Sequence, residues 1–469
     1  MGKLRFIAIV FASLLVFISC QVEPEEPRAK YVFYFIGDGM GLAQVIAAEA
    51  FVSDVSGEDY APLNFRRFPA TGLVSTYATN RFITGSAAAG TALATGEKTD
   101  INRISRDTSG AIPLESIAEK AKAKGMKVGI ISSVSIDHAT PAVFYAKQQS
   151  RSMNFEIGLD LTQSDLDFFG GGGFSVEEGE LDGKNVNLYD LAVQNDFHYI
   201  NSKQGFNELR PSDKKVLFVN PELGGGASML YAIDQDDDYI DLAGITAGAI
   251  NYLNNANGFF MMVEGGKIDW ASHANDLATV VYEVLDFAAA IDEAIKFYHQ
   301  HPNETLIVVT ADHETGGLSL GNRAMGYGTD YGILANQKVS GEAFSSLMQD
   351  GQNESGEGEA EFKEAMQLIE EYFGLGGELA PYTLTAEEIE EYRALFFEAG
   401  KGSPGDYSHY RQLTKKSTAI LTRQAGAGWT SSTHTAVAVP VYALGVKHTS
   451  FSGSLDNTDI SKIIWESIQ

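Results

Sequence analysis

The sequence predicts an α/β fold in which a large, mostly parallel central sheet carries helices on both faces. Three observations lead there. Apolar runs recur at residues 31–36 (YVFYFI), 259–263 (FFMMV) and 306–310 (LIVVT), and 128–134 (VGIISSV) reads as a further apolar strand, as expected of strands buried on both faces. Between the runs, apolar residues fall at helical spacing, as in Leu277, Val280, Val284, Phe287, Ile291 and Ile295, which implies alternation of strand and helix. Each run also ends in polar residues, and the carboxyl edge of such a sheet is where side chains from distant parts of a chain converge.

At the start of the chain, Lys3 and Arg5 precede an apolar stretch from Phe6 to Ile18 that is short for a bilayer span and ends at Ser19 and Cys20. This pattern reads as a secretion leader over residues 1–19. Phe17-Ile18-Ser19-Cys20 is similar to a bacterial lipobox, so Cys20 is expected to carry a lipid and residues 20–30 to form a tether, in the bacterial periplasm or at the outer membrane; a plain leader with an incidental cysteine is the other reading. Cys20 is the only cysteine, which excludes an intramolecular disulfide.

The folded domain is expected over residues 31–469. Its first strand runs into Gly37-Asp38-Gly39-Met40-Gly41, where glycines permit a tight turn and leave Asp38 projecting from the sheet edge, as a ligand or simply as a turn residue. A strand at 71–77 leads to Thr84-Gly85-Ser86-Ala87-Ala88, with Ser86 at the mouth of a helix that continues through Leu93. A serine there either caps the helix or meets a substrate at the positive end of the helix dipole. A helix over 114–124 precedes the strand 128–134, which delivers His138 and Thr140, and Arg151 follows. Segments 168–174 and 216–220 and a helix over 241–254 continue the alternation to the strand 259–263, after which come Glu264, Asp269 and His273. A helix starting near Asp269 puts Asp269 and His273, spaced i and i+4, on one face. The strand 306–310 ends in Asp312-His313.

Residues 317–424 differ in texture, with glycine and acid clusters at 350–360, a helix over 361–373, and a capping box at Thr385 and Glu388 opening a helix to Phe397. They read as an inserted helical and irregular segment near the active face. His434 then precedes an apolar strand at 437–444.

A chain of 469 residues with 44% apolar content buries a large core. Its formal net charge of −28 repels polyanions, which excludes stable nucleic-acid binding, whereas a small phosphate ester is admissible where bound cations reverse the potential inside a pocket.

The polar residues sort into cation sites by ligand chemistry. Zinc favours imidazole nitrogen and carboxylate oxygen with one position left open, so Asp269, His273 and His434 make one zinc set. Asp38, Asp312 and His313 make a second, with the Ser86 hydroxyl as a fourth ligand. Asp38, Thr140 and Glu264 offer oxygen alone, which suits magnesium. Two zinc ions would clamp the entering and leaving oxygens of an in-line phosphoryl transfer, Ser86 would be the nucleophile, and Arg151 would supply a bidentate fork for phosphate oxygens.

With these residues assembled, the chain resembles the alkaline phosphatase family. The likeness rests on Gly37 to Gly41, Thr84-Gly85-Ser86-Ala87-Ala88, His138-Ala139-Thr140-Pro141, Arg151, Val263 to Asp269 with His273, Thr310-Ala311-Asp312-His313 and Thr433-His434, in the family's order. It implies hydrolysis of small phosphate monoesters through a phosphoserine at Ser86, and a homodimer. A phosphodiesterase on the same scaffold, or a surface lipoprotein that keeps the fold only for binding, are the rival readings. Three departures stand out: Gly85 where the family usually has aspartate, Trp270 where lysine or histidine is common, and His138 where some members have aspartate. The first is expected to leave Arg151 loosely oriented. The other two place His138 and Trp270 beside the substrate or around the magnesium ligands.

Overall fold

The computed structural model describes residues 27–350, 358–399 and 408–469; the expected leader, Cys20 and the tether up to residue 26 lie outside them. Ten strands form one sheet: β1 (Tyr31–Gly37), β2 (Ala70–Ser75), β3 (Lys127–Ser132), β4 (Phe168–Gly171), β5 (Phe197–Ile200), β6 (Lys215–Val219), β7 (Phe259–Gly265), β8 (Thr305–Ala311), β9 (Val439–Gly445) and β10 (Gly453–Asp456). Their order is β10-β2-β9-β8-β1-β7-β3-β4-β6-β5. All pairings are parallel except the two made by β9.

The four strands legible as apolar runs, β8, β1, β7 and β3, are direct neighbours at the centre of this sheet. There both faces are covered, which is why their sequences show no polar alternation. In β1, Phe33 and Phe35 pack against Phe297 and Phe287 of helix Leu277–Gln300. Tyr34 points to the other face, where its ring meets Phe144 and its hydroxyl donates to the Leu93 carbonyl at 3.4 Å. All seven residues of β1 are buried, and each large apolar side chain among them contributes about 1.5–3 kcal/mol relative to exposure. The edge strands β5 (FHYI) and β10 (GSLD) carry no apolar run, because half of their surface meets water, and sequence periodicity did not reveal them.

The helix expected to run on from Asp269 is broken in two. Helix Lys267–His273 ends at Ala274, Asn275 takes a left-handed conformation with φ +56, and Asp276 caps a second helix, Leu277–Gln300. Asparagine tolerates that conformation and aspartate is a strong N-cap, so the break is local chemistry that the continuous apolar periodicity hides.

Two small antiparallel ribbons root the segment read as an insertion. Glu314–Thr315 pairs with His434–Thr435, and Leu318–Ser319 pairs with Gly428–Trp429. Between them lie helices Gly341–Asp350, Glu359–Phe373, Ala386–Ala399 and Ser408–Gln424. The capping box forms, with Thr385 N donating to Glu388 at 2.9 Å and Glu388 N donating to Thr385 Oγ1 at 3.2 Å. Among the described residues no helix is long and apolar enough to cross a membrane.

Asp276 clamps this segment to the core. Its buried carboxylate accepts from Thr279 N at 3.2 Å, from Gln337 Nε2 at 2.9 and 3.0 Å, and from Gly341 N at 2.8 Å. Asp276→Ala removes a helix cap and orphans buried donors, so it is expected to lower stability by about 2–4 kcal/mol in denaturant unfolding. A loss below about 0.5 kcal/mol would show that the segment is held elsewhere.

Candidate active site

The carboxyl ends of the four central strands meet in one place. Register puts Gly37 level with Ala311 and Gly265, so Asp38, Asp312 and Glu264 leave three adjacent strands side by side. The turn after β1 is possible because Gly39 has φ +71; a Cβ there would lie 2.9 Å from the Asp269 Cα. Gly39 N donates to Asp312 Oδ1 at 3.1 Å, which fixes that carboxylate. His138 and Thr140 come from the short helix Ala139–Ala142 and its N-cap. Ser86 opens helix Ser86–Thr95, with Gly85 as its N-cap.

Three groups of ligand-type side chains result, each with its ligand atoms within 4.8 Å of one another: Asp269, His273 and His434; Asp38, Asp312 and His313; and Asp38, His138 and Glu264. In the first, His273 Nδ1 lies 2.7 Å from the Ser432 carbonyl and His434 Nδ1 lies 2.9 Å from the Thr84 carbonyl. A carbonyl only accepts, so both rings carry hydrogen on Nδ1 and turn a bare Nε2 inward. Those two Nε2 atoms are 3.1 Å apart and lie 3.4 and 3.7 Å from Asp269 oxygens. Two facing lone pairs cannot bond each other, and a cation between them removes the repulsion. Backbone carbonyls that orient imidazoles in this way are the usual outer support of a metal ligand.

The second group obeys the same logic. Thr315 Oγ1 donates to Asp269 Oδ1 at 2.5 Å and so accepts from His313 Nδ1 at 3.3 Å. His313 Nε2 is then bare, 3.4 Å from Asp38 Oδ1 and 3.2 Å from Asp312 Oδ2. Both of those oxygens, and Glu264 Oε1, are buried without a hydrogen-bond partner among the described residues. Thr140 Oγ1 donates to Asp38 Oδ2 at 3.2 Å, and Ser132 Oγ donates to Glu264 Oε2.

Ser86 Oγ lies 3.3 Å from His313 Nε2 and 3.5 Å from Arg151 Nη1. The other arm of the guanidinium, Nη2, donates to His138 Nε2 at 2.7 Å. This corrects the expectation that Gly85 leaves Arg151 unanchored, since the imidazole takes the orienting role through its single lone pair. His138 then has no lone pair for a cation, and the ligand atoms left to the third group are the oxygens of Asp38, Glu264 and Thr140. The nearest atoms to a Cβ built on Gly85 would be 3.8 Å away, on Ile101. Trp270 meets the His138 ring edge-on, with centroids 6.0 Å apart.

Electrostatics restates the geometry. Burial, then the neighbouring carboxylates, pushes Asp38 well up, and burial followed by Asp269 raises Asp312 to about 7. Burial raises Glu264 to about 8. Burial also opposes ionisation of Asp269, yet the His273 hydrogen bond and the facing imidazoles hold it below the usual carboxylate range. Burial, then Arg151, lowers His138 to about 3, so its ring is neutral; burial likewise lowers His313 and His434. Sequence reading missed Thr315 and Ser132, which orient ligands of these groups. A threonine and a serine near strand ends carry no signal of their own.

The family model described as alkaline phosphatase matches residues 29–469. Alkaline phosphatase 4 of Bacillus subtilis is 32% identical over 451 residues, covering 94% of this chain and 89% of the relative. The crystal structure of a cold-active alkaline phosphatase from a psychrophilic Shewanella superposes with a TM-score of 0.79 at 29% identity, covering 94% of this chain and all of that one. A mutant of the TAB5 alkaline phosphatase, solved with magnesium bound in its M3 site, has a TM-score of 0.64 at 25% identity, covering 95% of this chain and 99% of that one.

Without cations, the crowded carboxylates have a measurable consequence. Asp312 and Glu264 are raised in the folded chain relative to the unfolded one, so their protonated forms stabilise the fold at low pH, and that contribution is lost as pH rises through about 7 to 8. Chelator-treated protein is expected to melt at a lower temperature at pH 9 than at pH 6, and added zinc and magnesium should abolish the difference by binding the folded state. Calorimetric melts that ignore both pH and metal would contradict a cation-dependent core.

Proposed function

This chain belongs to the alkaline phosphatase family and is a metal-dependent phosphomonoester hydrolase, and we propose that it works through a phosphoserine on Ser86, served by two zinc ions and one magnesium ion. Asp269, His273 and His434 would hold the first zinc; Asp38, Asp312, His313 and the Ser86 hydroxyl the second; and Asp38, Thr140 and Glu264 the magnesium. The donor chemistry fits, because bare Nε2 atoms and orphaned carboxylate oxygens point inward. When bound, the ions supply positive charge that favours a deprotonated serine and stabilises the entering and leaving oxygens.

The chain's own residues do the rest. Ser86 Oγ attacks phosphorus, the bond to the alcohol oxygen breaks, and the serine's proton leaves with the alcohol. Water then attacks the phosphoserine, releasing inorganic phosphate and restoring the hydroxyl. Arg151, held by His138, donates two parallel hydrogen bonds to phosphate oxygens. The helix that begins at Ser86 adds its positive end to the same spot. The observation that carries this reading is the position of Ser86 Oγ, buried at a helix mouth between His313 Nε2 and the Arg151 guanidinium.

Export and lipid anchoring through Cys20 belong to the proposal, as does a homodimer. Leu73, Tyr77, Phe82, Ile83 and Val437 are exposed, Phe82 at 77%. They lie on β2, in the loop after it and on the approach to β9, and Phe82 and Ile83 line a hollow with His273 and His434. Apolar residues gathered in this way mark an association surface. Phe82→Asp with Val437→Glu is expected to give a monomer by light scattering, and Cys20→Ser to move the protein out of the detergent phase; a monomeric wild type, or partitioning indifferent to Cys20, would remove the respective element.

The test of the chemistry is acid trapping of covalent phosphate during turnover of 4-nitrophenyl phosphate, with metal analysis of the same sample and bis-4-nitrophenyl phosphate as the diester control. The label is expected on Ser86, and Ser86→Ala should lower kcat by about two or more orders of magnitude while retaining its metals. Label on another residue would overturn the phosphoserine.

A further inference from the structure

The helices of the inserted segment leave a cleft of about 720 Å³ against helix Lys267–His273, lined on one side by Trp270 and His273 and on the other by Arg411 and Lys415. We propose that this cleft is a subsite for a second anionic group on the alcohol part of the substrate, so that the enzyme favours phosphomonoesters of ring-bearing alcohols with a further phosphate or carboxylate. The inference rests on the phosphomonoesterase reading given above.

Continuity with the reaction centre comes from His273, which belongs both to the first ligand group and to the cleft wall. An alcohol leaving past His273 therefore has this space before it. Arg411 and Lys415 are one helical turn apart on helix Ser408–Gln424, so both present to the same side. Neither has an ion-pair partner among the described residues, although the chain holds 62 acidic against 34 basic residues. The contrast within one helix is sharp: Lys416 pairs with Glu391, and Arg423 pairs with Glu388. The two bases of this helix that line the cleft are thus the two without a carboxylate partner among the described residues, and two such bases in a concave site recognise an anion.

The acids along the cleft do not supply the missing partners. Asp276 is committed to Thr279, Gln337 and Gly341, and the Glu342 carboxylate lies against Gly225. Trp270 adds a half-buried indole on which a sugar or base can lie.

The test compares initial-rate kcat/KM for adenosine 5′-monophosphate and adenosine 3′,5′-bisphosphate, with 4-nitrophenyl phosphate as reference. Wild type is expected to favour the bisphosphate by about tenfold, and Arg411→Ala with Lys415→Ala to remove most of that preference through KM. The charge reversal Lys415→Glu should lower the ratio further, and about 0.5 M salt should erode it in wild type alone. In the Ser86→Ala background, where turnover is slow, adenosine 3′,5′-bisphosphate should quench tryptophan fluorescence, and the paired alanine variant should lose the quench. An equal ratio in all forms, or a uniform loss on all three substrates, would overturn the subsite. Failure of metal-loaded wild type to hydrolyse even 4-nitrophenyl phosphate would instead strike the hydrolase reading beneath it.

Discussion

Crowded carboxyl groups, buried where the central strands end, are the constraint on which the rest of this structure depends. Asp38, Glu264, Asp269 and Asp312 are all withdrawn from water, with Asp38 sharing one ligand group with Asp312 and another with Glu264, an arrangement whose desolvation cost no hydrophobic packing offsets. Everything around it answers that problem. Backbone N–H groups and the hydroxyls of Ser132, Thr140 and Thr315 take some of the oxygens, three imidazoles turn bare nitrogens inward, and the remaining orphaned oxygens are left to cations. A rigid parallel sheet is what holds such a cluster together, because adjacent strands cannot move apart without breaking their ladders.

Much of this was legible in the sequence because the signals are local. A strand buried on both faces spells itself as an apolar run, and the one or two residues after the run lie at the sheet edge; that rule leads to Asp38, Glu264 and Asp312. The pair Asp269 and His273 followed from helical spacing. What stayed hidden depends on contacts between remote residues. That His138 grips Arg151 rests on a 2.7 Å approach between segments whose partnership no spacing encodes, and which nitrogen carries the hydrogen follows only once that partner is known. The break at Asn275 was masked by apolar periodicity continuous across it. The edge strands failed for the converse reason, having too little buried surface to require an apolar run.

His138 and Trp270 show how one position can be rewritten without moving the ligand groups. With no carboxylate at residue 85, the guanidinium is oriented by a neutral imidazole, kept neutral by burial and by the arginine itself. Trp270 lies against that imidazole and also lines the space under the inserted helices. Two residues that stand out as departures in sequence thus form one continuous wall, from the phosphate fork to the outer cleft.

The antiparallel strand β9 has a consequence for the order in which the centre is made. It slips between β2 and β8, strands laid down well before it, and just ahead of it comes His434, whose ring is held by a carbonyl 350 positions upstream. Pairing over such separations is slow because the whole intervening loop must close first. A nascent chain that has emerged as far as residue 424 has its central strands but lacks the strand that brings the last imidazole into place. The first ligand group is therefore among the final things this polypeptide assembles, and a chain interrupted before that point would carry most of its fold in potential and no complete centre.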